Sequence, residues 1–133
     1  MNQLYIYFDW DGTCVEFAFP YIGADNPGAI QVLEKLYDKG HLLILNSTRI
    51  NIAANFVDDV RIYLRNKSVK FEYSIAPHKI RPKNWDLDQA LKPGFIFIDD
   101  EAEGMPLIKA KNSNSYMVDW GKVEEQLQDK GII

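Results

Sequence analysis

The chain has 133 residues, 47% of them apolar, and a formal net charge of -4 from 15 Lys and Arg against 19 Asp and Glu. That size and apolar content suit a single domain over residues 1–133, and the scattered basic residues exclude the stripe that holds nucleic acid in bulk by counterion release, though not a small phosphate ester. One cysteine, Cys14, excludes an internal disulfide, no apolar run approaches the roughly 20 residues that cross a bilayer, and the N-terminus lacks a basic segment followed by an apolar stretch, so a cytoplasmic protein with no membrane role is expected.

Leu4 to Phe8 (LYIYF) is an unbroken apolar run, as expected of a strand buried on both faces of a parallel sheet. Asn26 and Pro27 read as an N-cap and first helical position; Ile30, Leu33, Leu36 and Tyr37 mark one helical face, and Gly40 closes the helix. His41 to Leu45 (HLLIL) is a second strand that runs into Asn46, Ser47, Thr48 and Arg49. Ile52, Phe56, Val57, Val60, Tyr63 and Leu64 then predict a helix from about Ile52 to Arg65. Phe71 to Ala76, Phe95 to Ile98 and Ser115 to Val118 read as strands three, four and five, and a last helix runs from about Lys122 to Lys130. Pro77 to Gly94 reads as a long surface loop with a short helix near Trp85 to Leu91.

This alternation predicts an α/β fold: a doubly wound, Rossmann-like, mostly parallel five-stranded sheet with helices on both faces. No repeat, low-complexity tract or linker divides the chain. In such sheets the functional crevice lies beyond the carboxyl ends of the strands. Asp9 and Asp11 follow strand one, Ser47, Thr48 and Arg49 follow strand two, and Asp99 and Asp100 follow strand four, so the polar residues collect at one edge.

Two aspartates after a strand are also ordinary turn residues. Four carboxylates at neighbouring strand ends are harder to dismiss, since two unit charges 4 Å apart repel by about 4 kcal/mol at an effective dielectric near 20. Either some protonate or a cation neutralises them. A hard divalent ion with oxygen ligands is the natural partner, and magnesium commonly takes one or two carboxylates, keeps several waters and binds substrate phosphate. One Cys and two distant His offer zinc no alternative. A carboxylate so placed can attack phosphorus if a metal and a cationic side chain offset the repulsion, and a second carboxyl two residues on can serve as general acid and base. Gly12 would let the backbone bend close to the phosphoryl group.

DWDGT after strand one, NSTR after strand two and FIDD at the end of strand four together resemble the motifs of the haloacid dehalogenase-like phosphohydrolase superfamily, and KPGFIFIDDEAEGMP is similar to its small capless members. The resemblance implies an aspartyl-phosphate mechanism. Asp9 would be nucleophile and metal ligand, and Asp11 general acid/base and a magnesium ligand through its backbone carbonyl. Ser47 or Thr48 would bind the phosphoryl group, with Gly12 and Arg49 beside it, and Asp99 and Asp100 would complete the magnesium site. Lys92 would be the phosphoryl-stabilising lysine, with Lys79 and Lys83 as alternatives.

Arg49 reads equally as a phosphate contact or a structural ion pair. Cys14 reads as a small buried hydrophobe, and His41 and His78 as cap or surface residues rather than bases. Neither Thr13 to Asn26 nor Pro77 to Gly94 is long enough for an independent cap, since domains usually begin near about 50 residues; the first could form only a short β flap. The expected protein is therefore a capless magnesium-dependent phosphatase acting on a phosphorylated small molecule or on a phosphate ester exposed on a larger substrate, with homo-oligomerisation left open. The alternative is a non-catalytic phosphate- or metal-binding regulatory domain. A receiver-like phosphoacceptor is disfavoured because FEYSIAPH offers no acceptor aspartate after strand three.

Overall fold

The structure, a computed structural model, describes residues 3–67, 69–73, 84–90 and 94–133. Strand β1 (Tyr5–Phe8) lies inside a four-stranded parallel sheet of order β3 (Glu72–Tyr73), β2 (Leu42–Leu45), β1, β4 (Phe95–Ile98). Ile6 is level with Leu43 and Ile96, and Phe8 with Leu45 and Ile98. Because side chains alternate along a strand, these six share one face, and all are buried. On the other face Tyr7 stacks on Phe97, ring centroids 5.1 Å apart, and meets Phe95 edge-on. Tyr5 on that face is half exposed, so the apolar run of β1 is not equally covered on its two sides.

Between β1 and β2, helix α1 (Ala29–Asp38) buries Ala29, Val32, Leu33 and Leu36. After β2 come α2 (Arg49–Ile52) and α3 (Ala54–Leu64), separated by Ala53 in an extended conformation, where one continuous helix is expected from periodicity. Neither Pro nor Gly marks that break. The short α4 (Leu87–Ala90) precedes β4. Helix α5 (Trp120–Asp129) buries Trp120, Val123 and Leu127, is capped by the Asp119 carboxylate accepting from the Lys122 N–H, and pairs with α1 through Lys35 and Glu124.

Three expectations need correction. The parallel sheet has four strands among the described residues, not five: Tyr116–Val118 is strand β6 of a separate antiparallel pair with β5 (Leu107–Lys109). A fifth parallel strand would need a crossover, usually helical, and the residues between β4 and β6 instead supply a partner strand that a hairpin reaches directly. Asn26 does not cap α1; Gly28, at φ 89°, stands at that position, because the Asn26 amide is engaged elsewhere, as described below. His41 is neither a cap nor at the surface: its ring is buried, with Nδ1 accepting from the Leu4 N–H and Nε2 facing the Ile132 carbonyl. No helix among the described residues is long and apolar enough to cross a membrane.

Phe8 is fully buried at the end of β1, edge-on to Phe71 at 5.9 Å, one residue before Asp9. Phe8→Ala is expected to lower unfolding free energy by about 3–5 kcal/mol in urea denaturation; a loss below about 1 kcal/mol would contradict its place in the core.

Candidate functional site

Since β1 and β4 are adjacent and in register, Asp9 and Asp99 leave the sheet side by side, with the Asp9 N–H donating to the Ile98 carbonyl at 2.9 Å. Asp9, Asp99 and Asp100 each bring a carboxylate oxygen to a common place, all within 4.8 Å of one another. Asp99 is buried; the other two are partly so. Burial first, and then the charges of Asp99 and Asp100, hold the Asp9 carboxyl well above the usual carboxylate range. Asp100 is pushed up to about 6, again by burial first, with Asp99 and Glu101 adding to it against a hydrogen bond to Asp9 that lowers it. A trio of oxygen donors under mutual repulsion fits a hard divalent cation. Beside it, Asn46 Oδ1 is buried with no hydrogen-bond partner, and Asn46, Asp9, Asp99 and Asp100 line one pocket.

The turn after β1 is built to bring Asp100 against it. Gly12 has φ 79°, and a Cβ there would lie 2.5 Å from Asp100 Oδ2, so both its backbone and its lack of a side chain are required. Thr13 is buried between the acids: its hydroxyl faces Asp9 Oδ2 at 3.3 Å and Asp100 Oδ1 at 3.5 Å, and its oxygen accepts from the Asp100 N–H at 3.1 Å. From beneath, the Thr13 carbonyl accepts from Asn26 Nδ2 at 2.8 Å and from the Trp120 indole at 2.7 Å. Asn26 Nδ2 also donates to the Val118 carbonyl at 2.7 Å, tying the turn to β6. The buried Cys14 thiol is pushed up by burial and by Asp9 and Asp11, which suits the structural reading. Trp10, between the two aspartates, turns its ring into the core against Tyr63.

Asp11 stands apart from the trio. Its carboxylate is gripped at both oxygens by the fully buried Arg49, from Nε at 2.7 Å and Nη2 at 2.8 Å. Ser47 is buried and its hydroxyl accepts from the Arg49 N–H at 3.2 Å, whereas Thr48 is exposed and lines the pocket. Asp9, Asp11, Asp99 and Asp100 line that pocket too, with Phe17, Phe19 and Ile52 as an apolar wall and Glu101 as a further acid. Its volume is about 160 Å³, below the roughly 300–1,000 Å³ of sites that engulf a drug-sized ligand. Lys92, Lys79 and Lys83 lie outside the described residues.

Thr13, Asn46 and Glu101 have no role among the sequence expectations. Thr13 was visible as the last letter of DWDGT, and Asn46 as the first residue beyond β2. Nothing in the sequence pointed to the flap aromatics Phe17 and Phe19 as pocket wall.

No protein-family model matches the chain, and no curated protein matches it. The chain is similar to a solved structure, that of a conserved protein from Bacteroides thetaiotaomicron, with 28% identity and a TM-score of 0.64, over 97% of this chain and 93% of that one. The likeness therefore extends over nearly the whole of both chains, compatible with a Rossmann-like arrangement.

For Asp100, whose folded value of about 6 exceeds the ordinary 3.8, the metal-free native state binds more protons than the unfolded chain between those values. Its contribution to stability is thus lost as pH rises through that window, and Asp9 acts in the same direction. Without divalent cations, Asp100→Asn is expected to gain on wild type by about 1 kcal/mol between pH 4.5 and 7.5, partial solvent access screening the remainder. Thermal melts of both proteins at the two pH values, with chelator, measure this; a difference independent of pH would show that the fold does not raise the Asp100 carboxyl.

Proposed function

We propose that this chain is a magnesium-dependent phosphomonoesterase of the capless haloacid dehalogenase-like kind, with Asp9 as nucleophile. The observation that carries the reading is the convergence of Asp9, Asp99 and Asp100 at adjoining strand ends, at a pocket that also receives Asp11 and Thr48. Asp9 and Asp99 are direct ligand candidates and Asp100 completes the set. Bound there, magnesium would supply the positive charge that lets one anion approach another.

The chain's own groups then divide the work. An Asp9 carboxylate oxygen forms a bond to phosphorus as the bond to the leaving oxygen breaks. Asp11 gives a proton to that oxygen, and the leaving group departs as an alcohol while the phosphoryl group stays on Asp9. A water that loses its proton to Asp11 attacks the aspartyl phosphate, and phosphate leaves with Asp9 regenerated. Thr48 lines the pocket, where its hydroxyl would meet phosphoryl oxygens, and Lys92 is the lysine that the motif resemblance supplies. A pocket of about 160 Å³ accepts the phosphoryl end of a substrate and leaves the remainder outside, against Phe17, Phe19 and Ile52.

A second reading, a phosphate- or metal-binding regulatory domain without turnover, draws support from the grip of Arg49 on both oxygens of Asp11. Hydrolysis of an aryl phosphate separates the two. Turnover is expected to require magnesium, to fall by about 10²–10⁴ in Asp11→Asn, and to vanish in Asp9→Asn. Tight binding of beryllofluoride by a wild-type protein that cleaves no ester in a broad panel would select the regulatory reading, and metal-independent turnover surviving in Asp9→Asn would refute the mechanism.

A further inference from the structure

We propose that Arg49 is a positioning residue that docks the flap over the pocket and aims Asp11 with one guanidinium, so that a closed flap and an aligned carboxylate are a single state. A guanidinium has five N–H donors, and every one is engaged within the chain. Nε donates to Asp11 Oδ2 at 2.7 Å, and Nη2 to Asp11 Oδ1 at 2.8 Å and to the Tyr21 carbonyl at 2.9 Å. Nη1 donates to the Pro20 carbonyl at 3.4 Å and to the Phe56 carbonyl of α3 at 3.3 Å. The Phe19 ring lies over the guanidinium, 5.0 Å from Cζ to centroid. Arg49 is fully buried, and no donor remains for a substrate phosphate.

Pro20 and Tyr21 belong to the segment that carries Phe17 and Phe19 into the pocket wall. That segment closes at its base, where Val15 bridges Asp25 and the Glu16 N–H donates to the Ala24 carbonyl at 2.8 Å. Lifting its tip would strip two acceptors from a buried cation, and releasing Asp11 would strip two more together with the counter-charge. Neither end can move without loosening the other. Lysine, a point charge without the planar fork, cannot hold both ends. The coupling is independent of catalysis; its kinetic consequence rests on the phosphatase reading.

Hydrogen exchange on metal-free protein tests the coupling directly. In Arg49→Lys and in the milder Asp11→Asn, amides of residues 16–24 are expected to exchange faster by about tenfold or more, while those of β1 and α1 keep wild-type protection. Asp11→Asn carries the test if Arg49→Lys does not fold. Unchanged exchange at 16–24 in the folded variants would overturn the proposal. In the kinetic arm, Arg49→Lys is expected to lower kcat for an aryl phosphate by about 10² with KM and the magnesium requirement as in wild type. A raised KM with kcat intact would overturn it too, returning Arg49 to phosphate binding. A wild-type protein without turnover would refute the phosphatase reading, and the exchange result alone would then decide the coupling.

Discussion

The register between β1 and β4 is the constraint on which the site depends. Once Phe8 is level with Ile98, the next residue of each strand is an aspartate, and the two carboxylates have nowhere to go but together. Repulsion of about 4 kcal/mol per close pair opposes this. Against it stand six side chains buried on one sheet face, each worth about 1.5–3 kcal/mol, four of which, Ile6, Phe8, Ile96 and Ile98, belong to β1 and β4 themselves. Burial on that face is of the same order as the repulsion, so the sheet can hold an arrangement its acids would refuse alone. Thr13 softens the cost locally, since its one hydroxyl proton faces Asp9 and Asp100 while its oxygen accepts the Asp100 N–H.

Asp9 and Asp11, separated by a single tryptophan, are divided between different partners. Asp9 joins Asp99 and Asp100, while Asp11 is drawn to Arg49. Without that arginine a fourth negative charge would face the trio across the same small pocket. Trp10 serves the separation from the other side: its ring, sunk in the core against Tyr63, anchors the backbone from which the two carboxylates diverge. Asn26 and Trp120 fix the next residues by their hydrogen bonds to the Thr13 carbonyl.

What the sequence made legible follows the range of the signal. Apolar runs a few residues long located β1, β2 and β4, and the rule about strand ends then put Asp9 and Asp99 at one edge; that they are side by side follows from the pairing of β1 with β4, which no local signal carries. The partner of SYMV was not legible, since a three-residue apolar strand pairs equally well in a sheet or in a hairpin, and LIK, its true partner, is exposed throughout. Asn26 carried the local signature of a helix cap, but the same amide satisfies carbonyls at Thr13 and Val118, and long-range acceptors leave no local trace. Arg49 shows the limit most clearly. Three of its acceptors are main-chain carbonyls, and a carbonyl has no sequence signature at all.

A small α/β chain with an acidic pocket has to shield that pocket with few residues. Separate cap domains do so by covering it with a second core, which the segment between β1 and α1 is too short to form. Here the cover is a flap closed at its base by Val15 and Asp25, weighted by aromatic rings, and fastened near its tip to a buried cation. Fastening by a cation that also binds Asp11 makes the cover and the pocket charge parts of one network, so a change in either is felt by the other. Phe17, Phe19 and Ile52 then share the pocket lining with the carboxylates, so a group that reaches the acids meets apolar surface as well as charge. On the phosphatase reading, recognition at such a pocket would divide accordingly: charge would select what enters the floor, and the fit of the flap's rings what stays attached to it.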